Sequence, residues 1–186
     1  MDTNQSIDWT DPARQARLDV ALAAMVGTAE PRVIFVCGGN ICRSPYMEMR
    51  FEQVLQAEGC TGRVLVSSGG FIKNPLIHEF TKQALEEAGV PEARVQQFSP
   101  RPLRAYREEI DAADLVLIPA RDVAETLLPK RYWEKTFLLS EVAGELEDVE
   151  DPVLKQDYET YKAIISRLDP YLDLLGRRLK EIGLCD

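Results

Sequence analysis

The sequence predicts an α/β fold, a single three-layer domain in which helices cover both faces of a mostly parallel sheet. Short apolar runs rich in β-branched residues alternate with longer segments whose apolar residues recur at helical spacing. Residues 33–36 form a continuous apolar run, which is typical of a strand buried on both faces. Strands that alternate with helices are joined by right-handed crossovers, and these crossovers place helices on both sides of the sheet.

The first half of the chain predicts three helices and two strands. A helix is predicted over residues 11–26, and the first strand over residues 33–36. Helical spacing returns over residues 44–58. A second strand is predicted at 63–67, and a third helix over 75–88.

The second half predicts two more strands and a long helical end. The third and fourth strands are predicted at 115–118 and 136–139, with a short helix around 120–128 between them. An apolar stripe at helical spacing begins at Tyr158, and Pro170 should kink or split that helix because proline lacks the N–H that the helix needs.

Composition and charge exclude several classes of protein. The length of 186 residues predicts one domain with some additional segments. With 31 acidic against 22 basic residues, the net charge of −9 argues against a partner that is nucleic acid or an anionic membrane. The longest apolar runs are far shorter than the roughly 20 residues that span a bilayer. Residues 1–4 are polar and do not resemble a signal peptide, so we expect a cytoplasmic protein.

The four cysteines predict reduced thiols rather than a disulfide framework. Cys37, Cys42, Cys60 and Cys185 are too few for a disulfide scaffold in a chain of this length. Cys60 and Cys185 are expected to be small buried hydrophobic residues. Cys37 and Cys42 could form half of a metal site, but no second pair or histidine cluster completes it. We therefore predict no metal and no cofactor.

The loop after the first strand has the features of a phosphate site. Ligands of parallel sheets bind beyond the carboxyl ends of the strands, where residues 37–45 lie. Two glycines and Asn40 tolerate positive φ, so successive N–H groups can converge on one point. The helix that begins at Ser44 directs its positive end there, and Arg43 offers two parallel donors. The predicted phosphate-binding residues are Gly38, Gly39, Asn40, Ile41, Cys42 and Arg43.

Cys37 is the predicted nucleophile. It precedes the loop, where the converging positive potential favours its thiolate form at neutral pH. A thiolate attacks phosphorus readily, and the Ser44 hydroxyl can donate to it when it leaves.

Asp151 is the predicted general acid. The following Pro152 holds Asp151 in an extended conformation just before the terminal helix. A protonated carboxyl displayed in this way can supply the proton that a leaving oxygen needs. The alternative is that Asp151 only caps the following helix.

These residues resemble the low-molecular-weight protein-tyrosine phosphatase family. The resemblance rests on a Cys-x5-Arg-Ser-Pro loop from Cys37 after an early strand, and on Asp151-Pro152 before a C-terminal helix. It runs from about Arg32 to the end, which implies an N-terminal extension with one helix over 1–31 and a phosphatase-like domain over 32–186. It also implies a four-stranded parallel sheet in the order 2-1-3-4, with the phosphate loop after strand 1.

The resemblance implies a two-step hydrolysis of a phosphorylated protein or a small phosphomonoester. Cys37 would become a phosphocysteine while Arg43 holds the phosphate oxygens, and Asp151 would act first as acid and then as base. Asn40 would brace the loop in a left-handed turn. Cys42 would be able to trap Cys37 in a reversible disulfide.

Departures from the family pattern leave the substrate open. Val153 and Leu154 stand where tyrosine phosphatases of the family usually carry aromatic residues, and Phe71 is a candidate for another aromatic wall. A histidine that supports the loop asparagine in relatives is replaced here, with Phe98 the expected substitute, so the rigidity of the loop must come from elsewhere. Ile41 stands where the arginine-phosphate branch carries threonine, which favours phosphotyrosine.

Other functions remain as alternatives. Residues 98–103 resemble the arginine-phosphate branch, so a protein-arginine phosphatase is the first alternative. A phosphocarrier is a second alternative, but it would need neither Arg43 nor Asp151. A phosphate-binding module that keeps the loop without hydrolysis is a third, suggested by the missing aromatic walls and the extra N-terminal helix. Arsenate reduction is disfavoured because no cysteine lies between Cys60 and Cys185.

Overall fold

The computed structural model describes residues 6–185, so the predicted polar start at residues 1–4 lies outside the described residues. Its sheet has four parallel strands in the order β2-β1-β3-β4, as predicted. The strands are β1 (Arg32–Cys37), β2 (Leu65–Gly70), β3 (Leu115–Ile118) and β4 (Thr136–Leu138).

Eight helices surround the sheet within the described range. They are α1 (Ala13–Met25), α2 (Arg43–Ala57), α3 (Glu79–Glu87), α4 (Glu92–Gln96), α5 (Arg107–Ala112), α6 (Arg121–Thr126), α7 (Tyr158–Ile165) and α8 (Asp169–Glu181). Short 3-10 turns lie at Lys130–Lys135, Leu139–Ala143, Pro152–Leu154 and Ser166–Leu168. None of the helices within residues 6–185 is long and apolar enough to cross a membrane.

Several helices and strands begin or end at other residues than predicted. Strand β2 begins later than predicted and runs through Ser68 to two glycines, because pairing with β1 extends it to the register Cys37–Gly70. Helix α3 begins only at Glu79, where His78 caps it. The helices α4 and α5 were not predicted, since each is too short to show a helical period. The predicted break at Pro170 is confirmed, because α8 starts with this proline in its first turn.

The core lies on both faces of the sheet. Val33 and Phe35 point into a larger cluster with α2 and α8, whereas Ile34 and Val36 point into a smaller cluster with α5 and α6. This division follows from the alternation of side chains along a strand. All four side chains are at most 1% exposed, as expected for a strand covered on both sides.

Helix α1 packs on the same core as the rest of the chain. Its residues Leu18 and Leu22 lie in the larger cluster. Arg14 is buried and donates from Nε to Glu141 Oε1 at 2.6 Å and from a terminal nitrogen to the Thr136 carbonyl at 3.0 Å. Breaking such a buried pair costs about 3–5 kcal/mol. The division of the chain at residue 31 stays a prediction.

The prediction for two of the cysteines was wrong. Cys60 and Cys185 form a disulfide that links the turn after α2 to the turn after α8. These two helices pack closely, since Gly176 of α8 leaves no room for a Cβ beside Val54 of α2. Their carboxyl ends therefore lie together, a proximity that spacing along the sequence does not reveal. Cys37 and Cys42 are free thiols, as predicted.

Candidate active site

The loop between β1 and α2 curls tightly at the carboxyl end of β1. Asn40 has φ 53° and is the non-glycine residue with positive φ in the described chain. The loop lies directly against Gly70 at the end of β2. A Cβ at Gly70 would be 2.7 Å from both the Gly38 carbonyl oxygen and the Asn40 nitrogen, so only glycine permits this approach.

The carbonyl oxygens of the loop accept hydrogen bonds from the segment after β2. The Gly38 carbonyl accepts from the Phe71 backbone N–H at 2.8 Å, and the Gly39 carbonyl accepts from Asn74 Nδ2 at 3.0 Å. In the part of the chain that the structure describes, no backbone N–H of residues 38–42 donates to a protein acceptor. Because N–H and C=O point in opposite directions in each peptide unit, these amides form a nest suited to an anion.

Cys37 is the last residue of β1 and lies beside this nest. Its Sγ is 2.9 Å from Ser44 Oγ, and its side chain is buried. Asn40 Nδ2 donates to the same Ser44 oxygen at 2.9 Å. The Ser44 oxygen thus has a donor already, and its own proton can be donated either to the sulfur or to the Gly69 carbonyl, 3.4 Å away.

Arg43 starts α2 and is only 3% exposed. Its guanidinium donates to Asp151 Oδ2 at 2.8 Å and to the Val149 carbonyl at 3.1 Å. The Arg43 Nε is buried and has no hydrogen-bond partner among residues 6–185. An unpaired buried donor on a charged group is costly, so the side chain is suited to receive an anion.

Asp151 lies at the loop, although it is distant in sequence. Its Oδ2 contacts Arg43, whereas its Oδ1 accepts from the Val153 backbone N–H at 3.2 Å. The carboxylate therefore caps the 3-10 turn Pro152–Leu154 and reaches the site, so that the two predicted roles are compatible in geometry. Its side chain is 39% exposed, which leaves it open to a substrate or to water.

A buried polar network behind Asn40 was missed by sequence reasoning. Asn40 Nδ2 donates to Ser68 Oγ at 2.8 Å, and Asn40 Oδ1 accepts from the Arg101 backbone N–H at 2.7 Å. Ser68 in turn donates to Glu48, whose carboxyl pKa is raised by burial. Phe98, the expected substitute for the supporting histidine, packs in the core, so the support of Asn40 comes from Ser68 and the Arg101 backbone. A buried serine next to two glycines at a strand end was the available signal.

Cys42 occupies a different environment from Cys37. Its side chain is 1% exposed, and burial raises the pKa of its thiol to about 12. The Tyr161 hydroxyl lies beside it and is itself 2.6 Å from the Thr81 hydroxyl. Cys42 is therefore protonated at neutral pH.

The mouth of the loop is aliphatic. A Cβ at Gly38 would lie 3.7 Å from Leu127 Cδ1 and 3.8 Å from Ile72 Cδ1, and Ile72 is 57% exposed. Phe71, the candidate aromatic wall, packs against the smaller core cluster instead. Leu154, after Asp151, is 87% exposed. Beside Gly38, the loop is thus bordered by the aliphatic side chains of Leu127 and Ile72.

Comparison with known proteins decides the family. The family model described as low molecular weight phosphotyrosine protein phosphatase matches residues 32–182. The chain belongs to this family. Among its relatives, a protein-arginine-phosphatase of Bacillus subtilis (strain 168) is 33% identical over 152 residues, covering 80% of this chain and 97% of the relative. The low molecular weight protein-tyrosine-phosphatase PtpB of Staphylococcus haemolyticus is 30% identical over 149 residues, covering 78% and 96%.

Solved structures of the low molecular weight phosphatase family share this fold. The YwlE arginine phosphatase, as a cysteine-to-serine mutant with a phosphorylated active-site serine, superimposes with a TM-score of 0.69 at 30% identity. That alignment covers 83% of this chain and 99% of YwlE. A family member from T. tengcongensis gives a TM-score of 0.63 at 30% identity and covers 78% and 97%. The predicted family and strand order are therefore confirmed.

Proposed function

We propose that this chain hydrolyses phosphotyrosine in proteins through a phosphocysteine intermediate. The observation that carries the proposal is the convergence of Cys37, the free loop amides, Arg43 and Asp151 at the end of β1. Each of these groups has a separate task in the transfer of a phosphoryl group.

In the first step, the phosphate of the substrate occupies the loop. The amides of residues 38–42 and the Arg43 guanidinium stabilise its non-bridging oxygens. Cys37 Sγ attacks phosphorus as the bond from phosphorus to the phenolic oxygen breaks. Asp151 donates its proton to that oxygen, so tyrosine leaves neutral. The products of this step are a phosphocysteine and the substrate protein with its neutral tyrosine side chain.

In the second step, water attacks the phosphocysteine. Asp151 accepts a proton from this water as the bond from phosphorus to sulfur breaks, which restores the acid and releases inorganic phosphate. The Ser44 hydroxyl, 2.9 Å from Sγ, stabilises the departing thiolate. The positive charge that the reaction needs comes from Arg43 and the amides, so the proposal includes no metal and no cofactor.

The decisive experiment is Cys37→Ser, assayed with p-nitrophenyl phosphate. We expect hydrolysis to be lost, whereas binding of inorganic phosphate, measured by calorimetry, is retained because the amides and Arg43 remain. Circular dichroism checks that the variant is folded. Appreciable remaining hydrolysis would contradict the nucleophilic role of Cys37, and phosphate binding without turnover in the wild type would instead support a binding module.

A protein-arginine phosphatase is the second candidate, favoured by the relative of that name in Bacillus subtilis. Ile41 argues for phosphotyrosine, since an apolar side chain at this position cannot hydrogen-bond a guanidinium. The test compares rates on phosphotyrosine and phosphoarginine peptides for the wild type and Ile41→Thr. We expect the wild type to prefer phosphotyrosine and the variant to shift the ratio towards phosphoarginine. An unchanged ratio would refute this role for Ile41.

A further inference from the structure

A second concave site lies on the flank of the phosphate loop. It is a cavity of about 290 Å³ between α5, the turn after α6 and the segment after β2. Its floor is apolar and includes Leu103 and Ile110. Three arginines, Arg104, Arg107 and Arg131, line its rim, and we call this site the arginine pocket.

The arginine pocket is positively charged in a protein with a net charge of −9. Arg107 pairs with Asp111, whose carboxylate is 3.3 Å from Nε. Arg104 and Arg131 have no carboxylate within ion-pairing distance in the described chain. Among residues 6–185, Asp111 is thus the one carboxylate within ion-pairing distance of any of the three guanidinium groups, and the concave shape concentrates their field.

Arg131 is held in place by Tyr132, whose hydroxyl donates in turn to Asp111 Oδ1 at 2.5 Å, so Asp111 lies near Arg131 without an ion pair between them. Its guanidinium carbon lies 4.4 Å from the centre of the Tyr132 ring, and one of its terminal nitrogens donates to the Tyr132 hydroxyl at 2.7 Å. Stacking of this kind orients the planar group and leaves its other N–H donors available.

Arg94, an arginine with a structural role, has a different environment from the arginines of the pocket. It is bound by two carboxylates, with Glu48 Oε1 at 2.5 Å and Glu52 Oε1 at 2.8 Å. These ion pairs neutralise its charge within the protein. In the described chain, Arg104 and Arg131 of the arginine pocket lack such ion-pair partners, so their charges are available to a ligand from outside.

The pocket and the phosphate loop share two wall residues. Phe71 lines the pocket while its backbone N–H binds the Gly38 carbonyl at 2.8 Å. Leu127 also lines the pocket and would be 3.7 Å from a Cβ at Gly38. A peptide advances about 3.3–3.6 Å per residue, so a side chain a few positions from the one in the loop can reach the pocket.

We propose that the arginine pocket is a second binding site that takes a carboxylate side chain of the substrate peptide, near the phosphorylated residue. The inference rests on the proposed function, and it names the substrate class as peptides with acidic residues beside the scissile phosphate. The guanidinium groups of Arg104 and Arg131 bind the carboxylate, and the apolar floor accepts the methylene groups of a glutamate.

The test uses two phosphotyrosine peptides that differ only in their flanking residues, which are glutamate in one and glutamine in the other. The variant is the double substitution Arg104→Gln with Arg131→Gln. The matched control is Arg63→Gln with Arg177→Gln, which removes two exposed arginines that do not line the pocket. For the wild type and the control we expect a higher kcat/KM on the acidic peptide.

For the pocket variant we expect a loss of about five- to tenfold in kcat/KM on the acidic peptide, mainly through KM, since each partly exposed charge pair contributes up to about 1 kcal/mol. Its rates on the glutamine peptide and on p-nitrophenyl phosphate should stay within about twofold of the wild type. The preference should also weaken with added salt.

Equal rates of the wild type on both peptides, or an equal loss in the variant and in the control, would overturn the proposal. If the wild type fails to hydrolyse p-nitrophenyl phosphate, the proposed phosphatase is refuted instead. The pocket is then tested by calorimetry with non-hydrolysable phosphonate versions of the two peptides. Tighter binding of the acidic version, lost in the pocket variant, would support it, and equal binding would overturn it.

Discussion

Asn40 Nδ2 lies 2.8 Å from Ser68 Oγ, and this hydrogen bond ties the left-handed turn of the phosphate loop to the end of β2. The Ser68 hydroxyl accepts from Asn40 and donates to the buried Glu48. The conformation of the loop therefore depends on a strand that contributes no side chain to the reaction.

Ser68→Ala tests this support. The change leaves a donor of Asn40 and an acceptor of Glu48 unpaired, so we expect a loss of about 1–3 kcal/mol in the free energy of unfolding. A looser loop should lower kcat on p-nitrophenyl phosphate about tenfold. Urea denaturation and steady-state kinetics measure the two effects. Ser67→Ala, at the neighbouring position on the other face of β2, serves as control, and an equally small effect of both changes would contradict the role of Ser68.

Asp151→Asn separates proton transfer from capping. Asparagine caps a helical turn as well as aspartate does, so the turn Pro152–Leu154 should persist, but an amide cannot donate a proton as an acid. We expect kcat to fall about 10²–10⁴-fold on phenyl phosphate and less on p-nitrophenyl phosphate, whose leaving group needs no proton. Asp148→Asn, a change at a carboxylate paired with Arg121, is the control. Equal losses on the two substrates would argue against a general acid.

The partly buried position of His78 leads us to expect a lower free energy of unfolding at acidic pH. It is the only histidine, it caps α3 by accepting the Phe80 backbone N–H at 3.2 Å, and it stacks on Tyr161 at 5.0 Å. Burial lowers its pKa below the usual 6.5. The stability that neutral His78 contributes is fully present above pH 6.5, the pKa of an unfolded histidine. It is lost as the pH falls through the lower pKa that His78 has in the folded state.

Urea midpoints at pH 7.5 and pH 5.5 check this expectation. His78→Asn keeps a capping side chain that does not titrate, so the decrease between the two pH values should be smaller in the variant. Titration of the single histidine by NMR measures its pKa directly. The same decrease in both proteins, or a histidine pKa above 6.5, would disprove it.

The Cys60–Cys185 disulfide should stabilise the fold without affecting the reaction. It closes a loop of 125 residues, and its removal by Cys185→Ser should lower the free energy of unfolding by about 2–4 kcal/mol. The 15 residues of α2 separate Cys60 from the phosphate loop by roughly 22 Å, so kcat at 25 °C should not change. Denaturation with and without a reductant gives an independent measurement. An unchanged stability would mean that the bond is absent in solution.

We expect peroxide to inactivate the protein reversibly, because Cys42 can form a disulfide with an oxidised Cys37. Because burial keeps its thiol protonated, Cys42 should not react first, but it can resolve a sulfenic acid formed on Cys37. We expect peroxide-treated wild type to regain activity with dithiothreitol, whereas Cys42→Ala should lose it permanently by further oxidation of Cys37. Mass spectrometry identifies the disulfide. Equal recovery of both proteins would exclude Cys42 as the partner.

Local patterns in the sequence were enough to predict the sheet and the loop. The apolar run at residues 33–36 predicts a buried strand, and the residues that follow have backbone freedom and charge suited to one anion. The observed strand β1 and the position of Arg43 at the start of α2 agree with these expectations. Such features depend on neighbours in the sequence, and local chemistry specifies them, whereas the strand order was implied only by the family resemblance.

Contacts between distant segments were decided by the tertiary structure alone. The Cys60–Cys185 bond, the support of Asn40 by Ser68 and the arginine pocket each join elements that are far apart in the chain. No periodic pattern marks them, because they arise when parallel strands bring their carboxyl ends together and when α2 and α8 pack side by side. Residue types alone predicted a site for phosphate, and packing decided which distant residues fix the conformation of its loop.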